Sequence, residues 1–548
     1  MSTKKPTEEQ LNECSKEMLI GLYLQLEDNF ETLKIQNEQL LKQTAKLQED
    51  MAVLVQQRFG RKTEKTSSIP GQLVLDPDKM CILNEAEVIT ENLFVPEPDE
   101  DEVIPAGKRK KPKGKREEDL KDIPTVVIEH TIPEERLSEL FPSGYHRLPD
   151  EIYHELAFVP SSFEDHEHHI AVYAGKKNDS VVKADRPDRL LNNSLLTPGF
   201  AAAIINAKYI NAVPINRISE EFKRNGVNVS RQVMANWMIR MGERYLSLIY
   251  DEMHAELLKN RLIHCDETPF VVTEGRETRG PNAKSYMWVY HAAGKDGSPP
   301  IFLYEYQPTR KTDHPREFLK DYKGILMTDG YQVYHTLEKE RPDELKVAGC
   351  WAHAKRHFAE VIKAMKTKTA NGMIADEANR RIAAIYHLDN MYKDASDAER
   401  LSNRQKSIRP LVDAFFAWVK SVHAETDQSS KTGKALLYCI NQEKYLRTFL
   451  DDPIIPLDNN DAERSIRTFC VGRHNWHIAD SVNGAAASGI IYSITQTAIA
   501  NGLNVFHYLS YLFEEMPKHM KEKSTAFVKD LLPWSDQLPV ICQNPKKQ

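Results

Sequence analysis

Leucine recurs at every seventh position along the first part of the chain. The strict period runs through six residues: Leu19, Leu26, Leu33, Leu40, Leu47 and Leu54. It predicts one long helix that ends near Phe59 and forms a coiled coil, in a region bounded at residues 1–65. In this heptad repeat the leucines occupy position d, and position a completes the apolar seam. Asn37 occupies an a position, which favours a parallel homodimer of fixed register. The alternative is an amphipathic helix that packs against its own chain.

The hydrophobic pattern stops after this helix. Residues 66–120 indicate a linker, because an acidic run at 96–102 and a basic run at 108–116 place prolines and like charges too densely for a packed core. Seven of the nine residues in the basic run are Lys or Arg. This run either binds nucleic acid through phosphates or is a solvated connection. Three short apolar segments then predict a small β module over 121–190.

Residues 191–250 have helical periodicity. One helix is predicted from Pro214 to Arg224, and Ser230 is placed to cap a second helix whose inward residues are Val233 and Trp237. The pattern indicates a helix-turn-helix DNA-binding region, and an ordinary pair of antiparallel helices is the alternative. The second helix would offer three polar side chains to base edges: Arg231, Gln232 and Asn236.

Residues 255–505 predict an α/β core within a chain that is multidomain and mainly α-helical. Three apolar strands come first, followed by units that alternate helix and strand. This order is the ribonuclease-H-like arrangement, which places the ends of the first and fourth strands side by side. Asp266 and Asp329 lie at these two ends. A helical insertion at about 360–450 interrupts the core, and residues 506–548 are assigned to a C-terminal segment.

A polar motif after the insertion supplies a third carboxylate. Asp458 or Asn459 can cap a helix here, and Asn459, Asn460 and Glu463 then share one face of it. Three carboxylates can hold two Mg²⁺ or Mn²⁺ ions, which activate an attacking water or hydroxyl and stabilise the leaving oxygen of a phosphodiester. A single aspartate at a strand end is more often a turn or capping residue, so the interpretation depends on the combination.

The charge distribution is compatible with a nucleic-acid partner despite a net charge of −7. Residues 1–107 contain 11 Lys and Arg against 21 Asp and Glu, whereas the remaining residues contain 62 against 59. The acidity therefore belongs to the N-terminal arm, and the body is slightly basic. No apolar run approaches the roughly 20 residues that span a bilayer, no secretory signal is visible, and the seven cysteines are scattered. We expect a cytoplasmic protein without a membrane partner.

Several motifs, in the same order along the chain, resemble the insertion sequence 66 family of transposases within the DDE superfamily. The resemblance covers nearly the whole chain, and its most specific segments are GCWAHAKRHFAE and PLDNNDAERSIR. The matching segments are QRFGRKTEK (57–65), KYINAVPINRISEEF (208–222), HCDETPF (264–270), MTDGYQVY (327–334), GCWAHAKRHFAE (349–360), PLDNNDAERSIR (456–467), VGRHNW (471–476) and LLPW (531–534).

The resemblance implies a DNA transposase with a ribonuclease-H-like catalytic domain. Its catalytic and metal-binding residues would be Asp266, Asp329 and Glu463, with two Mg²⁺ or Mn²⁺ ions as cofactors. Cys350 and His353 match a C-x-x-H pattern that lies between the second aspartate and the glutamate in many such transposases, and Asn459 and Asn460 would lie near the same site. Glu267 would point to the other side of its strand and have a structural role.

The same resemblance implies the partners. They are the terminal inverted repeats of the element, target DNA and small accessory proteins, in a nucleoid-associated setting. Four residues would position phosphates or stack an unpaired base, although core packing is the alternative for the last of them: Arg464, Arg467, Arg473 and Trp476. A DNA-binding regulator, or a nuclease on the same fold without transposition activity, is the alternative function.

One departure from the family pattern concerns zinc. Family members usually carry a zinc-binding cysteine module between the basic linker and the helix-turn-helix. The corresponding stretch here has no cysteine. Zinc is therefore not predicted as a cofactor.

Overall fold

The computed structural model of the protein describes residues 15–59, 163–174, 181–183, 188–275, 284–294, 297–364, 373–522 and 524–544. The predicted linker, its basic run and most of the predicted β module lie outside these residues. Among the described helices, none is both long and apolar enough to cross a membrane. The described chain is mostly helical around a mixed β-sheet, as the sequence predicts.

The leucine-heptad segment forms a single helix, α1 (Lys16–Phe59), over the described residues. Its leucine seam faces outward: Leu26, Leu33, Leu40 and Leu47 are each at least 60% exposed. Within the described part of the chain these four leucines are therefore uncovered, although the helix contacts the later helix Trp351–Ala364 of the same chain. Pairing of two such helices into a coiled coil stays a prediction.

A short antiparallel hairpin and four helices come next. The hairpin pairs β1 (Val172–Ala174) with β2 (Val181–Lys183), and β1 falls within the third predicted strand of the small β module. The helices are α2 (Pro198–Ile205), α3 (Ile215–Arg224), α4 (Arg231–Met241) and α5 (Ser247–Leu257).

The second helix of the predicted helix-turn-helix, α4, begins where expected but turns a different face inward. Ser230 caps it, because the Ser230 side chain accepts a hydrogen bond from the Val233 N–H at 3.3 Å. The prediction that Val233 faces inward is wrong, because this residue is exposed, whereas Trp237 packs against the core beside Phe200 as predicted. The fully buried stripe is Met234, Met238 and Met241. Contacts with α2 and α3 rotate the inward stripe by one residue. DNA binding by this pair of helices stays a prediction.

The central sheet has the predicted sequence of elements. Strands occur in the spatial order β5-β4-β3-β6-β7. The first three are antiparallel, and β3, β6 and β7 are parallel. A two-residue strand, β8 (Ile478–Ala479), pairs in parallel with the end of β3. The elements are β3 (Leu262–Val272), β4 (Ser285–Ala292), β5 (Ile301–Gln307), α6 (Asp313–Phe318), β6 (Gly324–Thr328), α7 (Gln332–Glu340) and β7 (Leu345–Gly349).

A helical insertion follows β7, as predicted, and has its own core. Trp351 lies at the centre of this core against the rings of Phe415 and Phe416, and its indole N–H donates to the Leu446 carbonyl at 2.8 Å. This core fixes the start of the first helix beside the end of the sheet. The helices are α8 (Trp351–Ala364), α9 (Ile374–Met391), α10 (Asp397–Asn403), α11 (Arg409–Glu425) and α12 (Lys431–Arg447).

The chain then returns to the sheet and covers one face of it. Helix α13 packs on β3 and β4, and α14 packs along β5. The C-terminal part packs back on the same core through Leu531 and Leu532, which are buried. The remaining elements are α13 (Asn460–Trp476), β8 (Ile478–Ala479), α14 (Val482–Ala500) and α15 (Val505–His519).

Candidate active site

Asp266 and Asp329 occupy equivalent positions on neighbouring parallel strands. The register of β3 and β6 pairs His264 with Met327, and each aspartate lies two residues beyond its paired residue. Parallel neighbours are about 4.8 Å apart, so the two carboxyl groups lie side by side. Asp329 follows the last residue of β6, but the prediction that Asp266 ends its strand is wrong, because β3 continues to Val272. Gly330, with a φ of +96°, turns the chain sharply after Asp329 and lets the Tyr331 N–H donate to the Asp329 Oδ1 at 2.9 Å.

Glu463 reaches this pair from the first turn of α13. Its side chain is only 5% exposed. Burial raises the pKa of Asp266 well above its ordinary value, and the neighbouring carboxylates of Asp329, Glu267 and Glu463 raise it further. Burial also raises the pKa of Glu463, although the guanidinium of Arg356 opposes this shift. Asp266 and Glu463 are therefore buried near further acidic groups, and a bound cation would stabilise the charged forms of these two side chains.

Asn459, just before α13, connects the strand of Asp266 to the helix of Glu463. It is fully buried; its Nδ2 donates to the Cys265 carbonyl at 2.9 Å and its Oδ1 lies 2.8 Å from the His264 Nδ1. Its side chain therefore does not cap α13; instead, Asp458 accepts from the Asn460 N–H at 3.2 Å. Asn459 thus holds Glu463 at a fixed distance from Asp266 through two buried hydrogen bonds.

Arg356 and His353, one helical turn apart on α8, contact the third carboxylate. The Arg356 Nη2 donates to both oxygens of Glu463, at 3.0 and 2.8 Å, and the His353 Nδ1 lies 3.6 Å from the Glu463 Oε1. Burial lowers the pKa of His353 to about 4, so its ring is neutral at pH 7. The sequence interpretation missed Arg356, although its position three residues after His353 puts it on the same helix face.

Glu267 points to the opposite face of β3, as predicted, and has a partner that the sequence interpretation missed. The Arg310 Nε donates to the Glu267 Oε1 at 2.8 Å, and the guanidinium lies 3.7 Å from the centre of the Tyr331 ring. Burial raises the pKa of Glu267 to about 7, with Asp329 adding to the shift and Arg310 opposing it. Arg310 lies in a loop after β5, where no sequence period marks it.

A cleft of about 640 Å³ opens over the carboxylates. Its wall includes Arg356, Arg473 and His474, and the Arg473 Nη1 donates to the Thr268 Oγ1 at 2.9 Å. The cleft therefore combines acidic groups in its interior with cationic groups at its rim, an arrangement that suits a phosphodiester backbone and a hard cation.

The other residues predicted to contact DNA lie in several places. Arg464 is exposed and pairs with Asp461, and Arg467 is half-buried on the same helix. Trp476 is half-buried against Tyr209, with ring centres 6.4 Å apart, which is the packing alternative for this residue. The predicted base-contacting residues lie outside the cleft lining and are exposed on α4: Arg231, Gln232 and Asn236.

The donor set fits a divalent cation of the magnesium class. Oxygen ligands come from three carboxyl groups, and burial disfavours the ionised forms of two of them, Asp266 and Glu463. Asp266, Asp329 and Glu463 would hold such ions. Within the described chain, Cys350 and His353 lie beside Glu463 and add sulfur and nitrogen donors to the same region.

Two family profiles match the chain. The profile described as Transposase IS66 family matches residues 193–487, more than half of the chain and all three carboxylates. A second profile, described as Transposase C of IS166 homeodomain, matches residues 46–128.

Three proteins of Sinorhizobium fredii are similar to the chain, and each bears the name uncharacterized protein. The protein y4qI is 28% identical over 66% of this chain and 67% of its own length. The protein y4hP is 24% identical over 87% of this chain and 86% of its own length. The protein y4jD is 25% identical over 75% of this chain and 79% of its own length. These similarities extend beyond the sheet to most of the chain.

Proposed function

The chain belongs to the IS66 family of transposases, and we propose from this membership and its carboxylate site that it catalyses metal-dependent cleavage and strand transfer of DNA. The observation that carries the proposal is the convergence of three acidic side chains from three separate segments: Asp266 and Glu463 line one cleft, and Asp329 lies beside Asp266. The strand order of the sheet supports a ribonuclease-H-like catalytic domain.

The chain's own residues would bind and orient the phosphodiester. When bound, two Mg²⁺ or Mn²⁺ ions would supply activation of the attacking oxygen and stabilisation of the leaving oxygen. Asp266 and Asp329 would hold these ions from adjacent strands, and Glu463 would complete the set from α13. Arg473 at the cleft wall would attract the phosphate backbone, because its guanidinium is fixed by the Thr268 hydroxyl.

Arg356 would exchange partners during this reaction. Its Nη2 donates to both oxygens of Glu463. The oxygens of an incoming phosphate would be alternative acceptors for this guanidinium, which can bind phosphate through two nitrogens. The residue therefore links the third carboxylate to the substrate.

Recognition of the element ends is proposed for α3 and α4. Three polar side chains of α4 are exposed and able to reach base edges in a major groove: Arg231, Gln232 and Asn236. Two ends must be brought together, and dimerisation through the exposed leucine seam of α1 would assist this step.

The decisive experiment uses a labelled DNA duplex that carries the end of the element, with Mg²⁺ or Mn²⁺. We expect the wild type to cleave and join it, and Asp266→Asn and Glu463→Gln to lose at least about a hundredfold in rate, because each removes a metal ligand. Asp343→Asn is the matched control. Asp343 is exposed just before β7, at the opposite edge of the sheet, and its variant should retain the rate.

The other outcomes separate the alternatives. Specific binding without cleavage under either metal would contradict the enzymatic proposal and favour a DNA-binding regulator. Cleavage without joining would favour a nuclease on the same fold. Cleavage that survives both substitutions would refute the assignment of the carboxylates.

A further inference from the structure

Three side chains of different chemistry meet at the junction of β7, α8 and α13. Cys350 follows the last residue of β7, His353 lies one turn into α8, and Glu463 comes from α13. One sulfur, one ring nitrogen and one carboxylate oxygen from these residues all lie within 4.8 Å of one another. The magnesium-class reaction proposed above needs neither the sulfur nor the nitrogen.

The sulfur of Cys350 is fully buried, and this burial raises the pKa of its thiol well above the ordinary value. Two backbone N–H groups oppose the shift by donating to the sulfur, those of Asn459 at 3.2 Å and of His353. Amide donors at the start of a helix stabilise negative charge on sulfur. The C-x-x-H spacing places Cys350 and His353 about one helical turn apart, so both side chains can reach a single ion.

The imidazole of His353 has an uncommitted nitrogen that faces the same point. Its Nδ1 is buried and has no hydrogen-bond partner among the described residues, while the Nε2 lies 3.3 Å from the Arg356 Nη1. A buried polar atom without a partner is destabilising, and an ion would give it one. The Glu463 Oε1, 3.6 Å from this nitrogen, would be the third ligand.

We propose that Cys350, His353 and Glu463 form a binding site for Zn²⁺ or another thiophilic divalent cation. Sulfur, nitrogen and oxygen donors from three residues suit zinc, which takes three protein ligands and a water in its open sites. Magnesium avoids sulfur, so the two sites differ in donor chemistry while they share Glu463. On binding, the Cys350 thiol releases its proton to solvent, and the ion displaces Arg356 from one Glu463 oxygen.

Sharing of Glu463 gives the site a consequence, which rests on the proposed function. An ion held by Cys350 and His353 would withdraw this carboxylate from Asp266 and Asp329. Zinc is then an inhibitor of the magnesium-dependent reaction rather than a cofactor for it. The existence of the site does not depend on that reaction, because its test uses no DNA.

The test is Co²⁺ binding to the full chain, followed by absorption spectroscopy and displacement by Zn²⁺. Cobalt reports sulfur ligation through its thiolate charge-transfer band. We expect this band in the wild type, its loss on addition of Zn²⁺, and its absence in Cys350→Ser, which retains the other six of the seven cysteines. Cys439→Ser is the matched control, because Cys439 is equally buried in α12 but lies outside the cluster, and its band should persist.

If circular dichroism shows that Cys350→Ser is unfolded, a second variant provides the test. His353→Gln should weaken Zn²⁺ binding, measured by competition with a chelating dye, by at least about tenfold, because ligand loss exceeds the effect of losing an outer partner. Absence of the band in the folded wild type, its persistence in folded Cys350→Ser, or unchanged zinc affinity in His353→Gln would each overturn the proposal.

Discussion

Glu305 carries a carboxyl group into the face of the sheet opposite Asp266. Strand register aligns Glu267, Trp288 and Glu305 across three neighbouring strands. The Gln307 Nε2 donates to the Glu305 Oε1 at 2.8 Å, whereas the other oxygen is buried without a partner among the described residues. Burial raises the pKa of Glu305 to about 7, and the hydrogen bond from Gln307 only partly opposes this.

This residue gives a stability prediction with a definite sign. The folded-state pKa of Glu305, about 7, lies above its ordinary value of 4.5, so the folded state binds more protons between these two pH values. Its contribution is fully present below pH 4.5 and is lost as pH rises through 7. Glu305→Gln removes this loss and should stabilise the protein at pH 8 by no more than about 3 kcal/mol.

The measurement is the midpoint of thermal unfolding at pH 5 and at pH 8. The difference between the two midpoints should shrink in Glu305→Gln relative to the wild type. Glu317→Gln is a suitable control, because Glu317 is exposed on α6 and should leave that difference unchanged. An equal difference in the wild type and Glu305→Gln would contradict the burial argument.

At the scale of elements, helix α14 protects the edge of the sheet. Its hydroxyl side chains satisfy the outer backbone of β5: the Tyr304 N–H donates to Ser493 at 2.8 Å and the Phe302 N–H donates to Thr497 at 3.0 Å. The close approach requires Gly489, because a Cβ there would lie 2.8 Å from the Tyr304 carbonyl oxygen. The helix thereby removes an edge that would otherwise pair with another chain.

This approach predicts opposite effects for two glycine substitutions in helices. Gly489→Ala should destabilise the protein by about 1–3 kcal/mol, because the new methyl group overlaps a backbone atom that cannot rotate away. Gly199→Ala in α2 is the matched control: a Cβ there meets nothing within 4 Å, so the change should be neutral or stabilising by up to about 1 kcal/mol. Thermal unfolding of both variants checks this, and equal midpoints would contradict it.

At the scale of the whole molecule, the exposed leucine seam of α1 predicts that two chains form a dimer. Leu33→Lys should dissociate the dimer, because it puts a charge into the apolar seam. Ile35→Lys is the matched control, since Ile35 is also exposed but occupies neither heptad position a nor heptad position d, which form the seam. Light scattering during size-exclusion chromatography should give half the mass for Leu33→Lys and the full mass for Ile35→Lys. A dimer in both variants would mean that another surface holds the chains together.

Local patterns account for what the sequence determines about this protein. The heptad period fixes α1, the cap at Ser230 fixes the start of α4, and the order of strands and helices places Asp266 beside Asp329. Each of these depends on residues close together in the sequence, or on the simple rule that parallel strands that are neighbours in a sheet run in the same direction. The motif around Glu463 suggests a third acidic residue, but no local rule brings it to the other two.

Tertiary structure decides the rest, because contacts between distant segments depend on packing. The insertion core places α8 so that Arg356 and His353 meet Glu463, and Asn459 ties α13 to β3. The inward face of α4 is shifted by one residue for the same reason. The Cys350–His353 pair has a recognisable spacing, but only the fold brings Glu463 to it and assembles three ligands from two segments of the chain.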